Sequence, residues 1–333
     1  MQILGQFPST RLRRNRQTPW IRSLVAETSL LPSHLVQSVI LREEKNPEGP
    51  ISAMPGVKRH SVAQAVAFAK QAFEAGIPAL ALFPYTDIDD RYADARLAFD
   101  PENVMAKAAR AIKQEVPDIG LIGDVALDPY TDHGHDGLLR DGVILNDESI
   151  EALQRQALML AEAGFDVLAP SDMMDGRIGL LRTSLDKAGY QHKLLLSYAV
   201  KYASAYYGPY RDAIGCKGVL QGDKRTYQMD FRNRNEALRE VAFDIEEGAD
   251  MVMIKPGLPY LDIIAKTKER FGVPVAAFQV SGEYAMLKCA SEAGAFEWEA
   301  AGLEALMAFR RAGTDMIISY YATEAAGWLN ASS

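Results

Sequence analysis

The sequence is poor in cysteine: Cys216 and Cys289 are the two present in 333 residues. Two thiols far apart in the chain make neither a disulfide framework nor a zinc knuckle, and they suit a reducing, cytoplasmic setting. A surplus of basic charge is also missing. Lys and Arg total 36 against 44 Asp and Glu, a formal net charge of -8, which leaves no basic footprint for nucleic acid. No apolar run approaches the ~18 residues that a membrane helix needs. The opening stretch "MQILGQFPSTRLRRNRQTPW" holds no signal-peptide core, because Gln6 and Pro8 interrupt its short apolar start. No Gly-rich phosphate fingerprint follows the first strand-like run, "SVILREEKNPEG", which argues against a doubly wound dinucleotide fold. The absences together predict neither nucleic-acid nor membrane partners.

What is present is a chain of ordinary globular composition, 48% hydrophobic and 24% charged, long enough for a sizeable core. Residues 1–35 are polar, Pro-interrupted and without periodicity, which predicts an extended N-terminal arm for subunit contacts. Its basic cluster, Arg11, Arg13, Arg14 and Arg16, reads as a solvated arm packing on another subunit rather than a targeting element or membrane patch. Residues 36–333 then alternate between two patterns. Short continuous apolar runs occur at 38–42, 78–83, 120–127, 165–170, 193–200, 250–255, 274–280 and 315–321. Helical three-and-four spacing occupies 61–76, 147–164, 235–248 and 300–313, each segment ending on glycine. Continuous rather than alternating strands are buried on both faces. This number of them, separated by helices, predicts an α/β fold, a single (β/α)8 TIM barrel.

Catalytic groups of such barrels sit at the carboxyl ends of strands. Reading those ends yields Asp124, Asp128, Ser171, Asp172, Lys201, Lys255, Ser281 and Tyr320. A lone lysine there is usually a snorkelling side chain. Two lysines ending neighbouring strands are a different matter. Two adjacent ammonium groups disfavour each other's charge, and burial acts in the same direction. A neutral lysine amine can attack a ketone and form a Schiff base.

The blocks "DVALDPYTDHGHDG" (124–137), "APSDMMDGR" (169–177), "SYAVKYASAYYGPYRDA" (197–213), "MIKPGLPYLDI" (253–263), "FQVSGEYAM" (278–286) and "ISYYA" (318–322) resemble the porphobilinogen synthase (5-aminolaevulinate dehydratase) family, from about Met54 to Tyr321. The resemblance implies a barrel lyase that condenses two 5-aminolaevulinate molecules to porphobilinogen, with loss of two waters, in tetrapyrrole (haem) biosynthesis. It implies that Lys255 forms a Schiff base with the substrate that becomes the propionate side. Lys201 would form one with the substrate that becomes the acetate side. Arg211, Lys224 and Gln228 would grip the second substrate's carboxylate from a lid at about 203–230, and Ser281 and Tyr320 the first substrate's. Asp124 would face the substrate amine, with Ser171 and Asp172 supporting the lysines from the same layer. A homo-oligomer is implied, an octamer or alternatively a hexamer. The segment before "MPGVKR" and the loop 83–100 match the family less well, which bears on arm docking rather than on the lysines.

Zinc-dependent members of the family carry cysteines where this chain has Ala126, Asp128 and Asp136. Thiolate suits Zn²⁺ and carboxylate suits Mg²⁺, so the resemblance is to the non-zinc, aspartate-rich, magnesium- or potassium-responsive type. Asp128 and Asp136 are candidate ligands for an active-site cation, including a monovalent one. Glu240 matches the carboxylate that holds an allosteric Mg²⁺. His133 and His135 read either as metal ligands or as hydrogen-bonded loop histidines. Three other readings compete. They are a class I aldolase with one reactive lysine, a non-catalytic scaffold, and a metal-dependent hydrolase built on Asp128, Asp136 and the histidines. Grips for two carboxylates favour the condensation.

Overall fold

The computed structural model describes residues 5–46, 48–215 and 218–331; Cys216 lies outside them. The barrel strands are β1 (Leu35–Leu41), β2 (Ala79–Pro84), β3 (Gly120–Val125), β4 (Val167–Pro170), β5 (Leu194–Lys201), β6 (Met251–Lys255), β7 (Val275–Phe278) and β8 (Met316–Ser319). Each pairs in parallel with the next, and β8 pairs with β1 to close the ring. The predicted apolar runs are these strands. Their continuity has the expected cause: every residue of β1, β4 and β7 is buried, by barrel filling on one side and by helices on the other.

The principal helices are α1 (Val62–Glu74), α2 (Val104–Glu115), α3 (Asn146–Ala163), α4 (Arg177–Lys187), α5 (Asn235–Glu246), α6 (Leu261–Phe271), α7 (Ser281–Glu292), α8 (Trp298–Arg311) and α9 (Ala322–Ala331). α1 begins in a reciprocal cap. Ser61 Oγ accepts the Gln64 N–H, and the Gln64 side chain accepts the Ser61 N–H. α3 stops where Gly164 takes a φ of 109°, which favours a residue without Cβ. The expected arm is less extended than its sequence suggested. Leu12–Arg16 forms a 3₁₀ turn and Pro19–Leu24 a short helix, with no buried residue in either. Pro19 opens that helix at a position where a missing N–H costs nothing.

The amino ends of the strands share a device. Asp166, Asp250 and Asp315 each stand just before an even-numbered strand and reach back to the odd-numbered strand beside it. Their carboxylates accept the N–H groups of Leu121 at 2.8 Å, Leu195 at 2.7 Å and Val275 at 2.7 Å. A basic side chain backs each one: Lys113, Arg182 and Lys268. Strand ends otherwise leave amides without partners, so these carboxylates fix where neighbouring strands begin. Asp250→Ala is expected to lower unfolding free energy by about 1 kcal/mol in a urea titration. The Asp250 side chain is 41% exposed, so water can reach the freed amide and keep the loss modest. An unchanged midpoint would mean that water substitutes for the carboxylate without cost.

Candidate active site

Lys255 ends β6, and Lys201 ends β5. The two residues are register partners. This alignment depends on an irregularity in β5: Ser197 pairs with Val252, yet Val200 pairs with Ile254. One extra residue in β5 forms a bulge. In unbroken register Val200 would stand opposite Lys255, and Lys201 would point to the other face of the barrel wall.

The two amines have different surroundings. Lys255 is 6% exposed and its Nζ faces four rings: Phe278 at 4.7 Å, Tyr198 at 4.9 Å, Tyr210 at 5.3 Å and Tyr207 at 5.6 Å. Ring faces attract an ammonium weakly, while desolvation disfavours it strongly. Burial, reinforced by the nearby Lys201 charge, pushes the Lys255 amine down to about 7 against the pull of Asp124, Asp128 and Asp136. Lys201 instead has hydrogen-bond acceptors. Its Nζ donates to Asp136 Oδ1 at 2.8 Å and to the Ser171 carbonyl.

Asp136 is the hub of the charges. It also pairs with Lys224 at 2.6 Å and accepts the Tyr227 hydroxyl at 3.0 Å. Burial works to raise this carboxyl, but the Lys201 and Lys224 ammonium groups overcome it and hold it well below the usual carboxylate range. Lys224 pairs with Asp128 too, at 3.0 Å. Asp128 and Asp136, the candidate cation ligands, are thus both bonded to a lysine ammonium. Asp124 is buried and its Oδ1 has no hydrogen-bond partner. Burial raises its carboxyl above the ordinary range, against the attraction of Lys255 and with added repulsion from Asp128. Lys201, Lys255, Asp124, Asp128, Arg211 and Gln228 line one compact inner cavity of about 30 Å³. It lies beside a wider mouth of about 590 Å³ at Arg211, Lys224, Arg225 and Gln228.

Of the other residues expected at the site, Ser171 lines the lysine cavity, and Asp172, Ser281, Tyr320 and Glu240 do not. Ser171 meets Lys201 through its main-chain carbonyl. Asp172 turns away from the lysines, accepting the Met174 N–H at 2.7 Å and facing the buried Arg177 at 3.8 Å. Ser281 does not line the lysine cavity. Its hydroxyl accepts the Tyr210 N–H at 2.9 Å and donates to the Tyr206 carbonyl at 3.3 Å. Tyr320 packs behind Phe278, their ring centroids 5.9 Å apart. Both follow the ends of their strands, at Phe278 and Ser319, and neither is among the rings that face Lys255. His135 is a hydrogen-bonded loop residue, with Nδ1 3.0 Å from the Tyr227 hydroxyl and Nε2 2.7 Å from the Gln221 carbonyl. Glu240 lies in a separate cavity of about 560 Å³ that Asp175, Glu236 and Tyr227 also line.

The segment expected to be a lid is helical in its first half, over Ala205–Tyr207 and Gly208–Ala213; residues 216 and 217 lie outside the described structure. Both ends are tied to the end of β5. The Ala203 N–H donates to the Met229 carbonyl, and the Met229 N–H donates to the Lys201 carbonyl. Sequence reasoning missed the rings around Lys255. The signal was the density of tyrosine in "SYAVKYASAYYGPY", although Phe278 enters from another strand.

An eight-stranded parallel barrel with two lysines in register at adjoining strand ends, one of them driven toward neutrality, is a TIM barrel with two amines at the face where such barrels carry their chemistry. The chain belongs to the delta-aminolevulinic acid dehydratase family, whose model matches residues 9–328. It is 53% identical over 316 residues to delta-aminolevulinic acid dehydratase of Bradyrhizobium diazoefficiens, covering 95% of this chain and 90% of that one. It is 48% identical over 329 residues to the Rhodobacter capsulatus enzyme of the same name, covering 99% of each. A crystal structure of the Toxoplasma gondii enzyme, in complex with the reaction product porphobilinogen, superposes with a TM-score of 0.93 at 45% identity. The match covers 96% of this chain and 91% of that one.

A buried amine that titrates at about 7 when folded and at its ordinary 10.5 when unfolded binds fewer protons in the folded state between those values. Stability therefore rises with pH across that window. Lys255→Met, similar in volume, is expected to unfold at higher denaturant concentration than the parent at pH 7. The gap should narrow as the pH approaches 10.5. A pH-independent difference would mean that burial does not shift this lysine.

Proposed function

We infer that this protein condenses two molecules of 5-aminolaevulinate into porphobilinogen, in tetrapyrrole biosynthesis, through Schiff bases on its two lysines. The register pairing of Lys201 with Lys255 carries this reading. It places two amines side by side, as a condensation of two identical ketones requires. The neutral Lys255 amine adds to one ketone, and loss of water leaves an iminium. Lys201 does the same with the second molecule once its ion pair with Asp136 is broken and its proton is released to solvent. The two imines account for the two waters lost. Carbon–carbon and carbon–nitrogen bond formation between the substrates then displaces both amines and regenerates the lysines.

In this reading Lys255 holds the propionate-side substrate and Lys201 the acetate-side one. Arg211, Gln228 and Lys224 receive the second carboxylate, and a guanidinium can do so through two parallel bonds. Lys224 would exchange part of its contact with Asp128 and Asp136 for that carboxylate. Asp124, unpartnered at Oδ1, suits the substrate ammonium. Ser281 and Tyr320 would reach the first carboxylate once the loop at Tyr206–Tyr210 shifts. The exposed Phe7, Leu12, Trp20 and Leu24 of the arm offer apolar surface for a second copy. This supports a homo-oligomer, an octamer of arm-hugging dimers or alternatively a hexamer; we place its work in the cytoplasm.

The reading extends to a non-zinc site. Ala126, Asp128 and Asp136 offer no thiolate, and the ammonium of Lys224 supplies positive charge between the aspartates. An allosteric Mg²⁺ fits the cavity at Glu240. Burial raises that carboxyl, and Asp244, Asp175 and Glu236 raise it further against the pull of Arg177. A cation would relieve this surplus of negative charge. Among the described residues no three His, Cys, Asp or Glu converge on one point, so the ion would keep most of its waters, as Mg²⁺ prefers. Bound there, it would supply charge neutralisation remote from the lysines.

Borohydride trapping with 5-aminolaevulinate, followed by peptide mapping, is expected to mark Lys255, alone or with Lys201, and Lys255→Ala is expected to abolish turnover. Adducts on neither lysine in folded protein would leave the barrel without this chemistry. Glu240→Ala is expected to blunt stimulation by Mg²⁺ while sparing basal turnover, and a zinc-selective chelator is expected to change nothing. Activity lost to that chelator and restored by zinc alone would overturn the metal assignment.

A further inference from the structure

Directly after Lys255 the chain turns through Pro256, Gly257 and Leu258. The group that holds this turn comes from the next unit of the barrel. Glu283, in the first turn of α7, is wholly buried. Its Oε1 accepts the Leu258 N–H at 2.6 Å. Its Oε2 accepts the Gly257 N–H at 3.1 Å and the Val280 N–H at 2.8 Å. The bond from Val280 is the local cap that a glutamate at this helix position ordinarily makes. The other two cross to a different strand end, which capping does not require. Burial pushes the Glu283 carboxyl up to about 7, while the three amides pull it the other way.

The residues beside Glu283 act on the same pocket. Ser281 is bonded to the main chain of Tyr206 and Tyr210. A Cβ on Gly282 would come within 2.5 Å of the Tyr206 carbonyl, so the loop rests directly on the backbone there. Tyr207, in that loop, donates its hydroxyl to the Lys255 carbonyl at 3.2 Å. Residues 281–283 therefore anchor both the loop that carries two of the rings facing Lys255, Tyr207 and Tyr210, and the turn that follows the lysine.

We propose that Glu283 is a positioning residue for Lys255. By holding the Gly257 and Leu258 amides it fixes the end of β6, so that the amine meets the substrate ketone at an attacking distance. Glu283 itself touches neither substrate nor amine. The proposal rests on Lys255 being a Schiff-base lysine.

The test uses the full-length enzyme and two variants. Glu283→Gln must turn an amide nitrogen toward at least one of the three N–H donors. Glu283→Asp keeps the charge but falls short of the turn. Borohydride trapping with 5-aminolaevulinate is followed separately at each lysine by peptide mapping, alongside kcat and KM. Trapping at Lys255 is expected to slow on the order of ten- to a hundred-fold, the scale of a misplaced reacting group. Where the parent also traps at Lys201, trapping there in the same sample should hold, and in every case kcat should fall by a larger factor than KM rises. Unchanged trapping at Lys255, or equal loss at both lysines, overturns the proposal. If neither variant folds, hydrogen exchange in the parent enzyme decides. The Gly257 and Leu258 amides are expected to be strongly protected, and exchange at the rate of an open turn overturns the proposal. Failure of the parent itself to trap at Lys255 would remove the lysine assignment and the proposal with it. Normal parent trapping with unaffected variants removes the role of Glu283 alone.

Discussion

One extra residue in β5 organises this active site. The bulge between Ser197 and Val200 advances the strand by one position, so that Lys201 comes level with Lys255. A strand turns successive side chains to opposite faces. Without the bulge the two lysines could not share one face of the barrel wall. Their mutual repulsion, the reach of Asp136 to Lys201 and the common cavity all follow from that shift. Bulges cost a ladder hydrogen bond and recur where a side chain must be re-aimed; here the re-aimed side chain is the second amine.

Once level, the lysines are distinguished by what surrounds them. Lys201 meets a carboxylate and a carbonyl, and Lys255 meets rings. Two like groups in unlike environments can serve two unlike roles. A ring-lined amine is pushed by burial toward its neutral form. A carboxylate-paired amine is held in place by its ion pair. The same Asp136 carboxylate joins Lys201, Lys224 and Tyr227, so a change of charge at Lys224 is felt at Lys201. Tyr227 also lines the cavity at Glu240, so its hydroxyl links that cavity to the Asp136 carboxylate.

The barrel was legible from the chain because its signals are local. Eight continuous apolar runs and glycine-terminated helices state the period and punctuation of a (β/α)8 fold without reference to distant residues. The antiparallel hairpin of Leu138–Arg140 with Val143–Leu145 went unread, although Asp141-Gly142 between its strands is a recognisable two-residue turn. The short helices of the arm were hidden because they bury nothing and so leave no periodic stripe. Asp166, Asp250 and Asp315 also stood in plain view before three apolar runs. Their role needed the neighbouring strand's amides, which the linear order does not reveal.

The sequence by itself determined that strands five and six end on lysine, that the chain has no thiolate at the positions of Asp128 and Asp136, and that its blocks are those of a known lyase family. Only the tertiary structure decided which groups those residues meet. It placed Lys224 on both aspartates, turned Asp172 toward Arg177, set Ser281 against the Tyr206–Tyr210 backbone and gathered rings from β5, β7 and the following loop around Lys255. The reason is physical. Periodicity and turn chemistry act between residues a few positions apart. Desolvation, ion pairing and register depend on segments far apart in the chain converging within a few ångströms, and that convergence exists only in the folded barrel.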